Sequence, residues 1–153
     1  MDYKQELKQL MEDYYQLTAR YRETTVDAMM EIKKKRPFRK KDYSNHIANF
    51  RRHIKEAQAL NVHGVSIPEE DGAAVELAEL LDRSISSFIL LCEANAEFYD
   101  LTDKKQYRSN RIALQDYTDS VSRLDGVLAG AMRELERLED AYKQYCADNF
   151  PQK

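Results

Sequence analysis

Tryptophan is missing from this chain, and cysteine, proline and glycine are scarce, at two, three and four of 153 residues. Two thiols cannot staple a small fold, so the chain is no disulfide scaffold. Cys92 and Cys146 each lie beside an apolar seam and read as small buried hydrophobes in a reducing compartment. The alternative is a disulfide joining the ends of two packed helices. No apolar run reaches the roughly eighteen residues of a membrane span. The N-terminus, with Asp2, Lys4, Glu6 and Lys8, is too charged for a signal peptide. These features predict a soluble, cytoplasmic protein with no membrane partner.

Signatures of chemistry are missing as well. There is no Gly-rich phosphate loop, no nucleophile elbow and no Cys–His pairing. His46 and His53 are seven residues apart, so on one helix they stand about 10 Å from each other, too far to share a zinc ion. A Glu-x-x-His pair, the mark of di-iron bundles, is absent. The context Asn45-His46-Ile47-Ala48-Asn49-Phe50 also lacks the Lys and Gly of a phosphorelay histidine. The histidines read as ordinary, partly exposed side chains. The sequence predicts a non-enzyme with no cofactor and no metal.

What is present is apolar and charged residues, 42 % and 33 % of the chain. That balance argues against both a disordered chain and a sheet protein. Tyr107, Leu114, Tyr117, Val121, Leu124, Leu128, Ala131, Leu135, Leu138, Tyr142 and Tyr145, with Asn110 in one slot, form a heptad seam. Asp103, with Gln106 three residues on, caps this helix, predicted over 103–148. Helix one is predicted over 2–35, ending before Pro37. Its seam is Tyr3, Leu7, Leu10, Tyr14, Leu17 and Tyr21, then a shifted register of Val26, Met29 and Ile32.

Helix two is predicted over 42–63, capped by Asp42, buried through Tyr43, Ile47, Phe50, Ile54 and Ala57, and closed by a left-handed Gly64. Ser66-Ile67-Pro68-Glu69 matches a capping box and opens helix three, over 68–101, although Gly72 weakens that first turn and moves the expected start of the regular helix nearer Ala73. Its middle, Phe88-Ile89-Leu90-Leu91-Cys92, is apolar all round and belongs at the centre. The fold class is therefore all-α: one domain, 1–153, forming an antiparallel up-down four-helix bundle with three long helices and a short second one. Short connections favour antiparallel neighbours. Where helix two runs out, one end should be a three-helix section. Gly126 and Gly130 in helix four mark either a close helix crossing or a bend, and the crossing is the leading expectation.

Charge is uneven. Residues 33–55 hold ten cations, Lys33, Lys34, Lys35, Arg36, Arg39, Lys40, Lys41, Arg51, Arg52 and Lys55, against the single acid Asp42. The remainder carries 14 basic and 26 acidic residues. Such a patch can attract a polyanion or nucleic acid, with Phe38 and Tyr43 adding stacking. Set against it is a plain solvated turn, or a grip on the acidic face of another copy.

Two functional expectations follow. The first is a non-catalytic interaction protein that self-associates, as a homodimer for example, or holds a partner's helix, because helix four has more seam than helix two can cover. The strip expected to stay open is Leu135, Leu138, Tyr142 and Tyr145, where tyrosines suit an interface. This layout, a small acidic bundle with long terminal helices, is similar to that of bacterial secretion and flagellar export chaperones, which implies an adaptor-like role. The alternative is a polyanion-binding or nucleic-acid-binding module acting through residues 33–55. The biological process and the partner's identity are not written in the residues.

Overall fold

The computed structural model describes residues 2–34, 41–106 and 112–151. It is an up-down-up-down bundle of four helices: α1 (Tyr3–Lys33), α2 (Ser44–Gln58), α3 (Gly72–Lys105) and α4 (Leu114–Asn149), with a 3-10 turn, η1, at Val62–Gly64. No described helix is long and apolar enough to cross a membrane. Pro37 and Tyr107 lie outside the described residues.

α3 is the central helix and packs against all three others. Cross-links set the levels. Tyr14 and Ser84 share a 2.7 Å hydroxyl–hydroxyl hydrogen bond, and Asn95 donates to the Tyr21 hydroxyl at 2.8 Å, so α1 and α3 run parallel. Thr24 meets His53 Nε2 at 2.8 Å and Arg20 meets Glu56 at 2.6 Å, so α2 runs back along the C-terminal half of α1. Phe50 stacks on Tyr99 with ring centres 5.8 Å apart. Below α2 the fourth place in the bundle is taken by chain rather than helix. Val62 is buried there, and Leu60, Val65 and Ile67 pack on the core.

Several boundaries differ from the sequence expectation, each for a local reason. α2 stops at Gln58, because the Asn61 carbonyl and side chain both accept from the Gly64 N–H and wind η1 instead. Gly64 is not left-handed; a Cβ there would strike the Asn61 side chain. The Ser66–Glu69 box does not open α3. Pro68–Asp71 forms a turn, and Asp71 caps the helix by accepting from the Ala74 N–H at 3.1 Å. The same carboxylate accepts from the Tyr3 hydroxyl at 2.6 Å, which holds it below the usual carboxylate range.

Asp103 does not cap α4 either. No Gly or Pro interrupts α3, which runs on to Lys105 with Lys104 and Lys105 at its negative end. Gln106 is used elsewhere: its Oε1 accepts from the Lys41 N–H at 2.7 Å and its Nε2 donates to the Lys41 carbonyl at 2.8 Å.

The register shift in α1 does not occur. The buried side continues through Tyr21, Thr24, Ala28 and Glu31, at unbroken helical spacing. Val26, Met29 and Ile32 turn outward, at 55 %, 51 % and 38 % exposure. Small residues win the inner side because α2 approaches closely there, with Thr24 bonded to His53. The close crossing at Gly126 and Gly130 is also overturned. A Cβ at Gly126 would meet nothing within 4 Å, and one at Gly130 only an Arg133 nitrogen at 3.9 Å.

Candidate functional site

α4 lies along α3, but it meets α1 at one end only. There Tyr15 and Tyr142 rings are 5.9 Å apart, and Lys8 Nζ sits 4.9 Å over the Phe150 ring. Leu138 and Tyr145 are fully covered at that end. Toward the other end the two helices part and leave a groove of about 630 Å³. Its floor is α3, through Phe88, Leu91, Asn95, Phe98 and Tyr99. One wall is α1, with Met29 and Ile32 on its lip; the other is α4, with Leu124, Leu128, Met132 and Leu135.

The groove is apolar because its polar groups are mostly engaged already. Thr18 and Thr25 donate to the Tyr15 and Arg22 carbonyls at 2.8 and 2.7 Å. Asn95 donates to Tyr21 and to the Leu91 carbonyl. Burial pushes the Tyr99 hydroxyl up to about 12 and raises Tyr21 as well. A surface of this size, concave, aromatic-floored and fringed by unbranched thioethers, can accommodate apolar side chains.

The sequence-derived strip is therefore displaced. Of Leu135, Leu138, Tyr142 and Tyr145, only Leu135 lines the groove; Leu138 and Tyr145 are buried within the chain, and Tyr142 is half-buried against Tyr15. The missed signal lay off the α4 strip: Val26 and Met29 were expected on the buried seam of α1, and Met30 and Met132 on no seam. Val26, Met29, Met30 and Met132 are apolar side chains in polar company, all more than half exposed.

The basic segment is described in part. Lys33, Arg51, Arg52 and Lys55 are exposed. Lys34 pairs with the buried carboxylate of Glu31 at 3.0 Å, and the Lys41 ammonium donates to the Ile32 carbonyl. Arg52 donates to Asn49 at 2.9 Å and lies 3.6 Å from Glu56. Lys35, Arg36, Phe38, Arg39 and Lys40 lie outside the described residues. Tyr43 cannot stack on a base, since it is buried against Tyr99.

The histidines differ from one another. His63 is exposed, 3.5 Å from Asp82. His53 is 1 % exposed, contrary to expectation, and burial lowers its pKa. Both cysteines are free thiols; Cys92 is buried, which raises its pKa, and Cys146 is half-buried. Among the described residues no three His, Cys, Asp or Glu side chains cluster as metal ligands.

Comparison of the chain with protein families, with curated proteins and with solved structures finds no match.

Proposed function

We propose that this chain is a non-enzymatic interaction protein whose α1–α4 groove receives a helix from another polypeptide, in the manner of an adaptor or export chaperone. The observation that supports this reading is the apolar mouth of the groove. Met29, Leu128 and Met132 are 51 %, 38 % and 55 % exposed over an aromatic floor, and helix-in-groove recognition uses such a surface. Left in water, that area is a liability that a docked helix removes.

The test is an environment-sensitive dye with wild type and Met132→Glu. Wild type should enhance its fluorescence strongly and the variant weakly, with unchanged helicity. Equal signals from both would reject the groove as the receiving surface.

A second reading, polyanion binding, is favoured by Lys33, Arg51 and Lys55, which are exposed and in no ion pair among the described residues. No affinity for nucleic acid near about 50 mM salt would dismiss it.

A further inference from the structure

The groove has one basic and one acidic lip. Arg22 lines it from α1 and Asp125 from α4. Lys33 lies four residues beyond Met29, and Glu136 four beyond Met132, so each continues its own lip. The two lips are in step, because eleven residues separate the charges on each, about 16 Å of helix. With Tyr15 level with Tyr142 on antiparallel helices, Glu136 falls near the level of Arg22 and Asp125 near that of Lys33. All four are exposed, and none is in an ion pair among the described residues.

The outer face of α1 is the complement of this groove. Val26 and Met30, 55 % and 57 % exposed, form an apolar ridge four residues apart. Arg22 and Lys33 border the ridge on the groove side; on the far side stand Glu23 and Asp27, with Lys34, paired to Glu31, at one end. Turned end over end, a second α1 lies antiparallel to the first. Its basic border then faces α4 and its acidic border faces α1. With the ridge centred in the groove, Arg22 of the incoming copy comes level with Asp125, its Lys33 with Glu136, and its Glu23 with Lys33 of the receiving copy.

We propose that the groove's occupant is the α1 ridge of a second copy of this chain, docked antiparallel to the receiving α1. This rests on the groove being a helix receptor and names the helix. Ridge and groove are different surfaces of one molecule, so one intact ridge and one intact groove, on separate copies, suffice for the contact.

The experiment is sedimentation at low salt, across a range of concentrations, on wild type, Met132→Glu (groove blocked), Met30→Glu (ridge blocked) and an equal mixture of the two variants. Both methionines are more than half exposed, so the fold is not at stake. Wild type should self-associate as concentration rises. Each variant alone should be monomeric, and the mixture should form a one-to-one pair through the one intact groove and the one intact ridge. Asp125→Arg in the groove-intact partner should weaken that pair about tenfold, and Arg22→Glu in the ridge-intact partner should restore it. Wild type that stays monomeric, or a mixture that stays monomeric, would each overturn the proposal. If wild type stays monomeric but still gives a dye signal that Met132→Glu abolishes, the receptor reading stands and only the identity of the helix falls.

Discussion

The two halves of α4 carry the same heptad seam and meet opposite fates. In the C-terminal half Leu138 and Tyr145 are 0 % and 2 % exposed, with α1 and α3 closed over them. In the N-terminal half only Ser120 is buried, and Leu114 stands 76 % exposed. Seam residues offer apolar area; whether it leaves water is decided by the neighbour. α1 approaches α4 at the Tyr15–Tyr142 level and draws away beyond it, so one seam is core at one end and the wall of an open groove at the other.

The strongest way to break this contrast is truncation. Leu138→Ala should cost about 2–5 kcal/mol, because a buried leucine leaves a cavity. Leu128→Ala should cost under about 1 kcal/mol, because its side of the groove is already open. Urea unfolding of both variants is the measurement, and equal losses would mean that the closed and open ends do not differ.

Acid probes the side of α1 that faces α2. The folded-state pKa of His53 is lowered, first by burial and then by the Arg52 and Arg20 charges, against an opposing effect of Glu56 3.9 Å away. The unfolded chain therefore takes up a proton near pH about 6.5 while the folded chain does not. Stability contributed by neutral His53 is present above that pH and is lost as pH falls toward the depressed pKa. Melting across that window should show the decline, and His53→Gln should flatten it.

A smaller effect of opposite sign comes from the helix itself. Gly126→Ala and Gly130→Ala should each stabilise the protein by up to about 1 kcal/mol, since neither new methyl meets resistance. Calorimetry would read this as a rise in Tm; a fall would restore the close crossing. Smallest of all, Met132→Glu should shift stability by no more than about 0.5 kcal/mol while removing the dye signal.

Helix order, the central place of α3 and the antiparallel topology were legible in the sequence, because long periodic segments and short connections allow little else. Two helix starts were misread for one reason. Ser66–Glu69 and Asp103–Gln106 carry capping residues, but Asp71 competes for the first and an uninterrupted helix overrides the second. In α1, larger side chains beyond Tyr21 suggested a new register, while the close partner at Thr24 and Ala28 selected small residues. The groove was out of reach, because it depends on how far two helices 100 residues apart diverge, and periodicity holds no distance. Its charged lips were visible as residues, but their opposition needed the Tyr15–Tyr142 level.

The amide of Gln106 grips both backbone groups of Lys41, as one rung of a sheet ladder would. That grip, with Phe50 on Tyr99, His53 on Thr24 and Glu56 on Arg20, fastens both ends and the middle of α2 from outside its own tether to α1. A chain nicked between Lys34 and Lys41 should therefore stay in one piece through gel filtration and come apart only in denaturant. The covalent link delivers α2 to its seat, and non-covalent clasps keep it there.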